Sequence, residues 1–309
     1  MRICFFGTPE FALPSLKALV EHGYEVVGVF TQPDKPKNRG KKLLPPPVKE
    51  LALQYGIPVY QFDKIRTQGL DTLRSLCADL FVTAAYGQIL SQEILDIPQL
   101  GCINVHGSLL PKYRGPAPIQ WAVINGEKKT GITTMYTDIG IDTGDMILKE
   151  ELEIKTGETA GELSLRLSAL GADALIKTLE LVGEGKAPRL PQNQQEATYF
   201  PMLKKQDGKI DFSLPAVKVV SYINGVNPWP GAYATMGEDV YKIWKARPET
   251  GMQQGKPGEV LMADAKQGLF IGTGDGCIEV LEMQAPGSKR MGAKDFLRGK
   301  SLPLRCFDE

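Results

Sequence analysis

The order of apolar and polar segments predicts an α/β protein. It has a Rossmann-like, mostly parallel sheet in an N-terminal domain and a small all-β, OB-like barrel in a C-terminal domain. Three observations carry this. Short apolar strands alternate with helix-period segments through the first half. A polar stretch over 185–206, broken by Pro188, Pro191 and Pro201, then interrupts that rhythm. Beyond it, five short apolar runs punctuated by Gly and Pro follow one another. The expected division is a first domain over 1–188, a linker over 189–206 and a second domain over 207–309.

Residues 3–6 read as a strand that turns through Gly7-Thr8-Pro9-Glu10 into a helix ending near His22-Gly23. Residues 25–31 form the second strand, and a long Pro/Lys/Gly loop follows over 32–47. A helix starts near Val48, residues 59–60 are a short strand, and 65–75 a helix. Strands follow at 80–85 and 102–106, with a short helix capped by Ser91 between them, and then at 132–136 and 146–154. A long amphipathic helix over 159–182 carries Leu163, Leu167, Leu170, Ala174 and Leu181 near helical spacing. In the second domain a helix over 214–223 precedes strands at 232–236, 240–246, 258–264, 269–272 and 277–284.

With 309 residues, 42% of them apolar and 23% charged, the chain suffices for two packed domains and gives no sign of disorder. No apolar run reaches membrane-spanning length, and the opening strand is too short for a signal peptide, so a soluble, cytoplasmic protein without a membrane partner is expected. The five cysteines form no Cys-x-x-Cys pair, and Cys4, Cys102 and Cys277 sit in strand-like runs where the residue serves as a small hydrophobe. Two histidines and no Cys/His cluster argue against a metal. Net charge is zero, yet between Asp34 and Lys49 six cations (Lys35, Lys37, Arg39, Lys41, Lys42, Lys49) face one anion, Asp34. A second group over 289–305 sets six cations against Asp295. Either alone is an ordinary solvated face; two together suit a polyanionic partner.

The first turn is not a dinucleotide fingerprint: Gly7-Thr8-Pro9-Glu10-Phe11 lacks the second and third glycines, and Pro9 removes a donor. The chemistry is concentrated in 104–120. Asn104 and His106, two apart at a strand end, project from one face, so an amide and an imidazole can aim at one developing oxyanion. The plainer alternative is a turn cap and a packed ring, but the rigid Pro/Gly loop that follows is where sites are built. A carboxylate to handle a proton comes from the Gly-rich stretch 137–145. Spacing does not choose among Asp138, Asp142 and Asp145, and each also suits a local turn.

Asn104-x-His106, the loop Ser108-Leu109-Leu110-Pro111-x-Tyr113-Arg114-Gly115, and Asp142-x-Gly144 together resemble the 10-formyltetrahydrofolate-dependent formyltransferases. The resemblance extends over the whole chain to the branch that acts on initiator methionyl-tRNA. It includes Phe6-Gly7-Thr8-Pro9-Glu10-Phe11, Thr31-Gln32-Pro33-Asp34-Lys35-Pro36 with Arg39-Gly40-Lys41-Lys42, and Asn227-Pro228-Trp229-Pro230-Gly231-Ala232. Asn38 stands where that branch often has glycine.

The resemblance implies a formyl donor, 10-formyltetrahydrofolate, and an acceptor, the α-amine of methionine on initiator tRNA. It selects Asn104, His106 and Asp142 as catalytic. It assigns Ser108, Leu109, Leu110 and Pro111, with Tyr86, Gly87, Gln88 and Ile89 after the buried strand, to the folate slot. Ordinary core is the competing expectation for Ile89. Arg39, Lys41 and Lys42 are expected to hold tRNA, and the protein is expected to be a monomer. The nearest alternative is the same chemistry on a small amine, an amino sugar or ribonucleotide. A formyl-folate hydrolase and a non-catalytic nucleic-acid binder stand further off.

Overall fold

A computed structural model describes residues 1–37, 42–249 and 255–308. They form two compact units, one of 1–118, 129–153 and 164–201, the other of 119–128, 154–163 and 202–309.

Along the first stretch of chain, β1 (Arg2–Gly7), α1 (Leu13–Glu21) and β2 (Glu25–Thr31) are followed by a short hairpin of β3 (Lys35–Lys37) and β4 (Lys42–Leu44). Then come α2 (Pro47–Gln54), β5 (Val59–Gln61), α3 (Ile65–Gln68), α4 (Leu70–Ser75), β6 (Leu80–Ala84), α5 (Gln92–Leu95) and β7 (Cys102–His106). The chain continues through α6 (Pro118–Asn125), β8 (Lys129–Tyr136), β9 (Met146–Glu153) and α7 (Ala160–Gly183). The expected helix over 65–75 is two helices, because Gly69 separates them and a Cβ there would lie 2.7 Å from the Ile65 side chain. Ser91 precedes α5 as expected, but its hydroxyl is buried without a partner and does not cap the helix. α6, β3 and β4 were not legible from periodicity.

The sheet runs β5-β2-β1-β6-β7-β8-β9, parallel through β7 and antiparallel beyond. Strand order reverses between β1 and β6, so a crevice is expected beyond the carboxyl ends of the central strands. β1 and β6 are buried on both faces, as central parallel strands must be. On one side the core stacks Phe6 on Phe30 at 4.7 Å and Phe30 on Tyr60 at 5.1 Å, with Phe81 and Tyr86 against Phe6. Cys4 and Cys102 lie in this core with their thiols pushed up to about 12 by burial, so they behave as hydrophobes, as their place in the strands suggested.

The second unit carries α8 (Ala216–Gly225) and an antiparallel half-barrel of β10 (Tyr233–Met236), β11 (Asp239–Glu249), β12 (Val260–Asp264), β13 (Gly268–Gly272), β14 (Cys277–Gln284) and β15 (Met291–Gly292). The sheet order is β10-β11-β14-β13-β12, with β15 on β14, and α9 (Ala293–Gly299) ends the sequence of elements. Every strand expected here is present. Among the described residues, no helix is long and apolar enough to cross a membrane.

Beyond the end of β2, Lys49 Nζ donates to both Asp34 oxygens at 2.9 and 2.8 Å and to Gln61 Oε1 at 2.8 Å. Gln61 Nε2 donates to Asp34 Oδ1 and to the Gln32 carbonyl, both at 2.8 Å. This cluster ties down the chain entering the basic loop. The hydrogen bonds from Lys49 and Gln61 hold the Asp34 carboxyl below its usual range. A depressed carboxyl stabilises the fold above the unfolded value of about 3.9 and loses that contribution as pH falls through the folded value. Asp34→Asn is therefore expected to lower the denaturant midpoint at pH 7, and the gap to the native chain should narrow near pH 3.

Candidate active site

β7 delivers two polar side chains at its carboxyl end. In the β6–β7 register Thr83 lies opposite Asn104, and the Thr83 hydroxyl donates to Asn104 Oδ1 at 2.8 Å. The bond goes to the oxygen of the amide, so it does not use the two N–H donors. His106, two residues on and 6% exposed, places Nε2 2.9 Å from the Tyr113 carbonyl. A carbonyl can only accept, so Nε2 carries the proton and the neutral ring keeps its lone pair on Nδ1. That atom faces Asp142 Oδ1 at 3.6 Å. Two acceptors at this distance make no bond of their own. A proton arriving on Nδ1 creates an ion pair, so the pair is built to receive one.

The three candidate carboxylates part company here. Asp138 is exposed and accepts from Gly140 N at 3.1 Å and the Thr143 hydroxyl at 2.7 Å, a local turn. Asp145 pairs with Arg189 at 3.8 Å. Only Asp142 reaches the imidazole. It sits in the left-handed region at φ 54, which Asp tolerates better than most residues. Its Oδ2 accepts from Gly115 N at 2.8 Å. Gly115 has φ 108, and a Cβ there would lie 2.3 Å from the Phe200 carbonyl, so only glycine can present this N–H. A Cβ at Gly144 would meet the Tyr136 carbonyl at 1.9 Å, which is why glycine follows Asp142 so closely.

The residues expected to line a folate slot divide by what they already do. Ser108 Oγ donates to the Lys112 carbonyl at 2.7 Å, inside its own loop. Leu110 is fully buried with Met135 and Met146, its N–H donates to the Thr133 hydroxyl at 3.1 Å, and its carbonyl accepts from Lys149 Nζ at 2.6 Å. Leu109 is partly buried, and Pro111 follows Leu110 by a cis bond. Gln88 is spoken for at both ends, accepting from Ile65 N at 2.9 Å and donating to the Phe62 carbonyl at 2.7 Å. Tyr86 is buried against Phe6, and its phenol is pushed up by burial. Ala85 and Gly87 are both left-handed, at φ 48 and 87, and their bend leaves Ile89 70% exposed. Ile89 is therefore not core, contrary to the plainer expectation; Leu90 is. Arg39 and Lys41 lie outside the described residues, and Lys42 opens β4 opposite Lys37.

Thr83 and Gln192 contribute to the site without a sequence signal. Gln192 Nε2 donates to the Asp142 and Gly144 carbonyls, each at 2.8 Å. Nothing in spacing links positions fifty residues apart.

A Rossmann-like sheet with an amide, an imidazole and a carboxylate gathered at the carboxyl end of one strand suits acyl-group transfer. The formyl transferase family model matches residues 1–179, and its C-terminal domain model matches 202–301. The chain belongs to the formyl transferase family. The methionyl-tRNA formyltransferase of Ruminiclostridium cellulolyticum is 50% identical to it, over 98% of this chain and 97% of that one. The solved methionyl-tRNA formyltransferase from Clostridium thermocellum superposes with a TM-score of 0.59 at 21% identity, over 82% of this chain and 95% of its own. WlaRD, a sugar 3N-formyl transferase solved in the presence of dTDP and 5-N-formyl-THF, gives 0.66 at 20% identity over 94% and 99%. At such identities the two solved structures speak for the fold alone.

His22 Nδ1 lies 2.9 Å from the Ala18 carbonyl, so the chain's two histidines should hold opposite neutral tautomers, Nδ1–H for His22 and Nε2–H for His106. Long-range 15N–1H spectra of histidine-labelled protein, recorded where both rings are neutral, should show one of each. Two identical patterns would remove the basis for a lone pair facing Asp142. Gly115→Ala should destabilise the chain by about 1–3 kcal/mol or more, read from denaturant unfolding.

Proposed function

We propose that this chain moves a formyl group from 10-formyltetrahydrofolate to the α-amine of methionine esterified to initiator tRNA. One observation supports the chemistry: Asn104 and His106 stand two apart at the carboxyl end of β7, and Nδ1 of His106 faces Asp142 Oδ1 at 3.6 Å. Full-length relatives named methionyl-tRNA formyltransferase at about half identity support the acceptor.

In this reading Asn104 Nδ2 donates to the formyl oxygen as the amine adds and the oxygen becomes an oxyanion. The proton that the amine sheds passes by way of Asp142 to the open Nδ1 of neutral His106, and the imidazolium so formed, balanced by the Asp142 carboxylate, supports the oxyanion. As the intermediate collapses, that same proton goes to the nitrogen from which the formyl group departs, which returns His106 to its neutral form. Donors fixed before reaction need no reorganisation during it, which is why losing one costs roughly a hundred- to a thousandfold. The residues at the strand ends suit a folate: Tyr86, Gly87 and Ile89 offer a bent backbone beside an exposed apolar side chain, and Ser108–Pro111 supply a rigid wall. In Gln88 and Leu110 that fit rests on shape, since their polar groups are already bonded.

The domain division follows the same reading, with the chemistry on 1–188, tRNA contacts on 207–309 and the basic loop, and residues 189–206 joining the two. On the second unit, Lys242 and Arg290 flank the Trp244 ring at 5.4 and 5.0 Å, and Trp229 is 53% exposed, a basic and aromatic surface suited to a nucleic acid. Arg39, Lys41 and Lys42 would contact phosphates near the acceptor end.

His106→Ala and Asp142→Ala should each lose about a hundredfold or more in turnover while unfolding as the native chain does. Native-like turnover in either refutes the assignment. The acceptor is tested by following labelled formyl from the folate when charged initiator tRNA, amino sugars, ribonucleotide amines or buffer alone is supplied. Label should appear on the tRNA. Label on a small amine, or formate released without an acceptor, contradicts the reading. Raising salt should weaken tRNA binding steeply, and Arg39→Ala should reduce the log–log slope by about one.

A further inference from the structure

Residues 190–200 fall between the two stretches matched by the family models and read from sequence as linker, yet they pack on the site. Leu190 pairs with Met146. Thr198 exchanges backbone and side-chain bonds with Pro111, Tyr113 and Arg114, and Phe200 stacks on Tyr113 at 4.9 Å. At the centre of this contact is Gln192, 7% exposed. Its Oε1 accepts from Arg114 Nε at 2.9 Å and Nη2 at 2.7 Å, and its Nε2 donates to the carbonyls of Asp142 and Gly144. An amide has two donor hydrogens and two acceptor lone pairs, and all four are used.

The orientation is forced. Arg114 is buried and can only donate, its Nη1 being held by Gln194 Oε1 at 2.9 Å, so the oxygen of Gln192 must face the guanidinium and its NH2 must face the loop. Asp142 in turn is tied through Oδ2 to the N–H of Gly115, the residue after Arg114. The result is a closed circuit: Arg114 to Gln192, Gln192 to Asp142, Asp142 to Gly115. It holds Asp142 in a left-handed conformation that the residue would otherwise leave. Only an amide side chain can accept at one end and donate twice at the other. Glutamate would serve Arg114 better but turn a carboxylate oxygen on two carbonyls.

We propose that Gln192 is a positioning residue for formyl transfer, holding the Asp142 carboxylate against His106 from a segment outside the matched catalytic stretch. This rests on the reading of Asp142 as the partner of His106, and the test separates the two. Full-length Gln192→Glu, Gln192→Met and Asp142→Asn are compared with the native chain for folding, kcat, KM for both substrates, and the 15N resonance of His106 Nδ1. His22 serves as the internal reference. Gln192→Glu keeps Arg114 satisfied and should stay folded, so it decides the matter if Gln192→Met does not fold. In the folded Gln192 variants kcat should fall about ten- to hundredfold with KM within about twofold, because the carboxylate is misplaced by an ångström or so rather than removed. The His106 Nδ1 resonance should move while that of His22 stays. An unchanged kcat in Gln192→Glu, or a loss of kcat with the His106 resonance unmoved, overturns the proposal. If Asp142→Asn itself turns over like the native chain, the underlying reading fails instead.

Discussion

The hydrogen bond from His106 Nε2 to the Tyr113 carbonyl is the contact on which the rest depends. It commits one ring nitrogen to the protein and thereby determines what the other can do. Without it the imidazole would be free to choose its tautomer, and Asp142 could take a proton from the ring rather than stand ready to support one. The loop that supplies this carbonyl is held by bonds that have no other evident purpose. Ser108 Oγ donates to the Lys112 carbonyl, Thr133 takes the Ser108 carbonyl at 2.7 Å, and Thr198 meets the Tyr113 N–H. A buried polar group left unmatched is expensive, so each of these bonds also narrows where the loop can sit.

The site is assembled by pairs that reach across the sheet. Thr83 and Asn104 meet because β6 and β7 are in parallel register, and that contact takes up the amide oxygen. Asp142 approaches from the loop between β8 and β9; Gly144 in that loop and Gly115 in the loop after β7 allow backbone closer than any side chain would permit. Asn104 and His106 thus come from one strand and Asp142 from a loop some forty residues further on, and the fold brings Asp142 Oδ1 to 3.6 Å from His106 Nδ1.

How much of this was visible in the residues alone follows from range. The two-residue spacing of Asn104 and His106 at a strand end is local, and it was legible. So were the strands of the two larger sheets apart from the two-residue β15, and the buried cysteines, because burial imposes periodicity and composition. The choice of Asp142 over Asp138 and Asp145 came from the family resemblance and not from spacing, since all three sit near glycines and only the fold shows which faces the ring. Gln192 and Thr83 were invisible for the same reason: their partners are distant in sequence and adjacent only through register and packing. Gln88 shows the converse, a residue expected at a ligand that instead caps the start of α3 and bonds the Phe62 carbonyl. Ile89, read as core or ligand wall with equal ease, proved to be exposed, because a left-handed pair at Ala85 and Gly87 turns the chain outward.

The central claim is that amide, imidazole and carboxylate are matched to a tetrahedral carbon rather than to a planar formyl group. The most direct measurement is the affinity of two folates, one carrying a stable tetrahedral mimic at the transferable position and one carrying the planar, unreactive 5-formyl group, for the native chain and for Asn104→Ala. Complementarity to the reacting state predicts that the native chain prefers the tetrahedral compound by about a hundredfold or more, and that the variant loses most of this preference while binding the planar folate as before. Equal affinities in the native chain, or a preference that survives the loss of Asn104, would contradict it.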